Sequence, residues 1–233
     1  MIRFFFIKMI LNTYKSFYFF IKSSRITHSN NLNSFFKDFT ILYLTDFLIR
    51  IFILSLFILY FDESPYTEEI DNSIYNSFYI IIFLGPIIEE IAFRLSLKYT
   101  RLNVFLSSTL ISYYLLTKFI FKLDSFNIEQ YFLYRILLSL IIGCLFLAFC
   151  FFKEQRIIIF YEKHLKFIIY LNCILFTIIH LNNLNNNIPL FFIIILLLPY
   201  FISSLIYSYL RLKYSFVHST FSHVFTNFIS TLL

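Results

Sequence analysis

Seven apolar runs, at residues 39–61, 77–97, 104–121, 132–152, 165–180, 189–210 and 215–233, follow one another along this chain with short polar breaks between them. Each is close to the length a helix needs to cross the hydrocarbon core of a bilayer. Backbone in that core must satisfy its own polar groups, so only helices or a closed barrel can span it. The runs are continuous rather than alternating, which selects helices. Composition agrees, at 60% hydrophobic and 14% charged residues with a mean hydropathy of +0.79, against about half apolar and about a quarter charged for a soluble domain. Such values argue against a disordered chain, a nucleic-acid partner and a water-soluble enzyme. The expected fold is all-α: a polytopic integral membrane bundle of about seven transmembrane helices, with an N-terminal interfacial helix and the lipid bilayer as its first partner.

The charges between the runs give an orientation. A leader with Arg3, Lys8, Lys15, Lys22, Arg25 and Lys37 precedes the first run, and alternate connections carry Lys98 and Arg101, then Lys153, Arg156, Lys163 and Lys166, then Arg211 and Lys213. The remaining connections hold Asp62, Glu63, Glu68, Glu69 and Asp71 without a lysine, then Lys122 with Asp124 and Glu129, then the uncharged stretch 181–188. By the positive-inside rule the N-terminus is cytoplasmic in a cell membrane, the plasma membrane being the expected one, and the C-terminus faces out. The chain divides into a cytoplasmic leader, 1–38, and a membrane domain, 39–233, with no repeat or turn-rich linker inside it. Cations interrupt the apolar stretch of the leader and no small-residue cleavage pattern follows, so a cleaved signal peptide is not expected. Lys8, Lys15 and Lys22 recur every seven residues. They therefore share one helical face opposite Phe and Ile, as on an anionic leaflet; a loosely ordered terminus is the other reading.

Ionisable groups inside apolar spans are costly and belong against a bundle interior or a wet cavity. The second run reads Gly85-Pro86-Ile87-Ile88-Glu89-Glu90-Ile91-Ala92-Phe93-Arg94. Residues four apart share a helix face, so Glu90 aligns with Arg94 while Glu89 projects about 100° away. That geometry divides the work into an internal Glu90–Arg94 ion pair and a free carboxylate, Glu89, suited to act as a general base. Gly85 lies one turn before Glu89 on its face, where it admits a backbone or a substrate, and Pro86 is expected to bend the helix there. The fifth run places Asn172, Phe176 and His180 at successive i+4 positions, and the seventh does the same for His223 and Asn227. At 1.5 Å per residue, Glu89 and His223 each lie roughly 13 to 15 Å above the basic loops, and His180 about a turn deeper. Asp46 and Arg50 read as another i, i+4 ion pair, and Arg135 as a helix-end cation that snorkels.

Glu89-Glu90-x-x-Phe93-Arg94, then Phe176-x-x-x-His180, then His223-x-x-x-Asn227, in this order on separate apolar segments, resembles the CPBP family of intramembrane proteases. That family comprises type II CAAX prenyl endopeptidases and bacteriocin-processing or self-immunity (Abi) proteins. The likeness covers roughly residues 84–228. It implies an intramembrane endopeptidase in which Glu89 and His180 activate a water, His223 and Asn227 stabilise the oxyanion, and Glu90, Arg94, Phe176 and Gly85 support the site. This chain departs from the pattern at Leu95 and at Tyr214-Ser215, where glycine is common in the family.

Family members are often called metalloproteases, and Glu89, His180 and His223 are the candidate ligands for a divalent metal such as zinc with an open water position. No H-E-x-x-H helix is present to make that assignment specific. A metal-free route, in which Glu89 and His180 polarise the water directly, is equally available to these residues. The substrate implied is a peptide or membrane-protein segment: a prenylated tail, a leader peptide or a transmembrane substrate. Two further readings stand beside the enzyme. One is a non-catalytic immunity or partner-binding protein of the same fold; the other is a proton-relaying transporter.

Overall fold

The computed structural model describes residues 2–61, 65, 78–184 and 188–232. The acidic connection expected at 62–71 and the start of the second run at Ser77 lie outside the described residues, as does part of the uncharged stretch near 185. Every named element is helical: α1 (Ile2–Ser23), α2 (Leu32–Phe61), α3 (Gly85–Phe93), α4 (Arg101–Leu115), α5 (Phe132–Ile179), α6 (Leu190–Lys213) and α7 (Phe216–Leu232). Three of them, α2, α5 and α6, are long and apolar enough to cross a membrane.

The difference from seven apolar runs has local causes. The fourth and fifth runs lie in one 48-residue helical stretch, α5, that joins separate helices across a kink: the backbone leaves helical geometry at Lys153 and His164, next to the end of the fourth run and the start of the fifth. The segment between those two residues has neither glycine nor proline and stays helical where a basic loop was expected. The second run is split: a π-helical turn at Ile80–Leu84 leads into α3, which is only nine residues long. Pro86 stands at the start of α3 rather than within it. Its missing N–H is unneeded in a first turn, and the widened turn before it relieves the clash a proline ring makes with the carbonyl four residues back. The run then ends in a 3-10 turn, Leu95–Leu97, and α4 closes on a second π turn, Leu116–Ile120.

The helix at the centre is α6. Its stretch from Ser203 to Arg211 is buried on every side, although it holds three serines, two tyrosines and an arginine. Ser208 donates back to the Ser204 carbonyl, while the hydroxyls of Ser203 and Ser204 meet Asp46, Arg50 and Arg94 of neighbouring elements, so the polar groups on this buried stretch are used inside the bundle. Against it run α2 and the last part of α5, both antiparallel. Asp38 meets Lys213 while Phe57 meets Phe192 in the first pair, and Cys173 meets Ser208 while His180 stacks on Tyr200 in the second. The first part of α5 lies antiparallel to α4, with Arg135 at Thr117 and Glu154 at Arg101. Gly143 sits where these two helices pack together, and a Cβ there would run into the Thr109 side chain and press on the Phe105 ring.

The leader is an ordered helix docked on the bundle. Phe17 and Phe20 pack on Tyr209, Tyr170 donates to the Ile21 carbonyl, and Thr13 donates to the fully buried Asp38 at 2.7 Å. Asp38 also accepts from Lys213, Tyr209 and Tyr214, which ties α1, α2 and α6 at one end. Arg135 does not snorkel. It is fully buried, donating to the Thr117 hydroxyl and the Asn127 carbonyl beside the Tyr113 ring, because the turn before α5 folds over it.

Candidate functional site

Three short helical stretches meet beside the middle of α6: the second half of α3, the C-terminal end of α5, and the first half of α7. Each brings the residues singled out in the sequence. Glu90 and Arg94 are both fully buried, with Arg94 Nε 3.5 Å from Glu90 Oε1. That contact is ionic rather than a hydrogen bond, and Arg94 Nε and Nη1 have no hydrogen-bond partner among the described residues. Arg94 Nη2 donates to Ser204 at 2.9 Å, and the guanidinium lies 4.2 Å from the centre of the Phe176 ring. Phe176 is therefore the apolar lid over this charge, a role that its helix position alone did not disclose.

Glu90 does more than pair with Arg94. Its Oε2 accepts from the Ser219 hydroxyl, and its Oε1 lies 3.1 Å from His223 Nδ1. A carboxylate only accepts, so the hydrogen on this contact belongs to Nδ1. His223 is thereby held in one orientation, with its ring stacked on Tyr207 at 4.6 Å. Its other nitrogen, Nε2, is 3.6 Å from Glu89 Oε2. The histidine stands between the two adjacent glutamates, and the 100° between them on the helix is what lets them address its two ends.

His180 ends α5. Its Nδ1 is 2.8 Å from the Phe176 carbonyl, so Nδ1 carries the hydrogen and a neutral ring keeps its lone pair on Nε2. The ring packs between Phe176 and Tyr200, at 4.6 and 4.4 Å. His180 and His223 both line a cavity of about 40 Å³ open to water-sized molecules, together with Arg50, Tyr200, Ser203 and Asn227. At roughly 10 to 15 Å³ per water this space holds about three. Glu89 is not among its lining residues and connects to it through His223.

Several expectations change in detail. The side chain beside Glu89 is His223, at 3.6 Å, where His180 was expected; His180 instead puts its Nδ1 on the Phe176 carbonyl. Asn227 lines the cavity, but its amide donates to the Ile81 carbonyl at 3.1 Å, a group freed where the π turn widens the helix. The missing side chain of Gly85 does not open room for a substrate: a Cβ would lie 3.1 Å from the Ile80 carbonyl of that turn and 3.8 Å from Phe126. As for the candidate zinc ligands, His180 and His223 each have Nδ1 on an oxygen acceptor, which leaves Nε2 as the nitrogen a metal would use, and Glu89 lies beside that of His223; no set of three or more His, Cys, Asp or Glu side chains converges as a metal site among the described residues.

The sequence reading missed four contributors. Arg50 and Ser203 form the cavity wall from α2 and α6, and Ser219 and Tyr207 hold the buried pair. Ser219 stands four residues before His223, so the rule that paired His223 with Asn227 also finds it. Lys118, in the second π turn, lies within electrostatic reach of Glu89 and His180. Comparison with protein-family models, curated proteins and solved structures returns no match.

Proposed function

We propose that this chain is an intramembrane endopeptidase of the CPBP type, hydrolysing a peptide bond of a membrane-associated substrate in the inner half of the bilayer. The observation that carries this reading is the Glu89–His223 pair at 3.6 Å, fixed from behind by Glu90 and set against a polar cavity inside an apolar bundle. A histidine with one nitrogen oriented by a carboxylate and the other facing a potential base is an arrangement suited to proton transfer. Glu89 takes a proton from a water as the water oxygen bonds the scissile carbonyl carbon. The proton passes through the Glu89–His223 pair to the leaving nitrogen as the C–N bond breaks, giving a carboxylic acid and an amine, between which the second proton of the water then moves to leave a carboxylate and an ammonium. Asn227 keeps one amide hydrogen for the developing oxyanion, its other being used on Ile81.

The topology belonging to this reading is the seven-crossing one, with the N-terminus cytoplasmic and the plasma membrane as location. Its support is the reversal of direction within α5, whose first part is antiparallel to α4 and whose last part is antiparallel to α6. The bend at Lys153 to His164 then returns the chain to the side that carries the other basic residues.

One observation favours a second reading, a non-catalytic immunity or partner-binding protein: the cavity has room for waters and not for a peptide. Mass spectrometry of membrane-protein termini in cells expressing the wild type or Glu89→Gln at equal levels separates the two. New termini present only with the wild type are expected for the protease. Identical termini in both overturn it.

A further inference from the structure

The cavity wall opposite the histidines is built from a helix that lies outside all three motif segments. Arg50 of α2 donates from Nε to Asp46 Oδ2 at 2.9 Å and from Nη2 to the Ser203 hydroxyl, and Ser203 in turn donates to Asp46 Oδ2 at 2.7 Å. Asp46 is buried behind this contact, with 4% of its side chain exposed against 26% for Arg50. The guanidinium is thus gripped along one edge, through Nε and Nη2, 5.3 Å from the Tyr200 ring, and Arg50 lines the cavity. A mostly buried cation in an apolar helix faces a polar cavity rather than lipid. An arginine held from behind and open at its far edge is preorganised for a planar oxyanion.

We infer that Arg50 anchors a carboxylate of the ligand in this cavity, making a carboxylate-bearing amphiphile the preferred occupant of the proposed active site. The inference rests on the peptidase reading for its chemistry, and deepens it by naming what the substrate presents. Size agrees: a space for about three waters takes one carboxylate and little else, so the rest of the ligand lies outside, along the apolar exterior. Around that carboxylate stand the Arg50 guanidinium and the two histidine rings, while the hydroxyls of Ser203 and Thr226, which also line the space, keep their hydrogens on Asp46 and the Ser222 carbonyl. The nearest buried anion, Asp46, keeps to the far side of the guanidinium.

Binding is measured on the full chain carrying Glu89→Gln, purified in detergent, so that hydrolysis plays no part in the readout. The probe is a short oligoleucine peptide with an N-terminal fluorophore, prepared with a free C-terminal carboxylate, as its C-terminal amide, and as the amide with one glutamate added; decanoate serves as an unlabelled competitor. The free acid is expected to bind at least about tenfold tighter than the amide, the discrimination of a charge-assisted pair. Arg50→Gln should erase that ratio, and Arg50→Lys should keep part of it. A purely structural Arg50 would instead change stability and weaken acid and amide alike. Competition by decanoate or tight binding of the glutamate peptide assigns the site to carboxylates of any source, and selectivity for the free acid alone assigns it to a chain terminus. Equal binding of acid and amide, binding of neither, or a ratio that survives Arg50→Gln overturns the inference. The acid-to-amide comparison on the chain with Arg50 intact stands even where Arg50→Gln fails to fold. Because it is read without cleavage, its failure leaves the termini experiment untouched.

Discussion

Neutralising Glu90 tests whether the buried network is organised around that one carboxylate. In Glu90→Gln the Arg94 guanidinium keeps only Ser204 as a hydrogen-bond acceptor and the faces of Phe176 and Tyr207, with none of its side chain exposed. An unpaired buried charge of this kind costs about 3 to 5 kcal/mol. For a chain of this length each kcal/mol moves the melting temperature by about 2 to 4 °C, so the expected loss is about 6 to 20 °C. Arg94→Met should cost less, because Glu90 keeps Ser219 and His223. The double variant should recover most of the loss, since a buried pair replaced by apolar groups is close to neutral. The protein has no tryptophan, but Cys150 and Cys173 are buried and Cys144 is exposed. A thiol-reactive dye on a Cys144→Ser background therefore reports unfolding directly. A Glu90→Gln melting temperature within about 2 °C of the parent, well below the drop such a charge demands, would refute the reasoning, as would a double variant no better than Glu90→Gln alone.

Three other outcomes follow from the same coordinates. Gly143→Ala drives a methyl into Thr109 and should destabilise by about 1 to 3 kcal/mol, with partial rescue by Thr109→Ala; the thiol-dye melt reads both, and an unchanged Gly143→Ala curve would mean that α4 and α5 are less closely packed than described. Asp38→Ala removes the acceptor shared by Thr13, Tyr209, Lys213 and Tyr214, so limited proteolysis should cut within α1 several-fold faster while the rest of the chain stays resistant. Glu89→Gln should change stability by less than about 1 kcal/mol, since the amide has the shape of the carboxylate and the contact to His223, at 3.6 Å, is longer than a hydrogen bond. A large drop in its melting temperature would make Glu89 structural and remove the meaning of the termini comparison.

Much of this was legible before any coordinates, for reasons that differ by element. The all-helical class followed from unbroken apolar runs, and the different directions of Glu89 and Glu90, with Arg94 beside the latter, followed from the helical repeat alone. Run length does not say whether a polar interruption opens the chain: residues 154–163 are polar enough to resemble a loop and yet stay helical between the non-helical positions Lys153 and His164. The partner of His180 was hidden for a related reason. Intrahelical geometry fixes which side chains share a face, but the acceptor at Phe176 is a backbone carbonyl at the frayed end of α5, and sequence marks no such group. Arg50 was visible as half of an i, i+4 pair and read as self-contained; its third partner, Ser203, comes from 153 residues away.

The two glutamates and the histidine between them act as one unit, and the serines of α6 explain why it can exist in an apolar bundle. A buried ion pair gives little net stability, because desolvation offsets its Coulombic attraction. What tolerates it here is close wrapping by groups that need nothing else: Ser204 and Ser219 bond the charges, and Phe176 and Tyr207 cover Arg94 with ring faces. The arrangement fixes the position of His223 to within one hydrogen bond, at the expense of leaving two nitrogens of Arg94 unbonded. A core selected for stability alone would fill this volume with leucine and isoleucine. Retaining a carboxylate, a guanidinium and a histidine in it instead directs one imidazole nitrogen at Glu89, and that direction is the property the surrounding packing preserves.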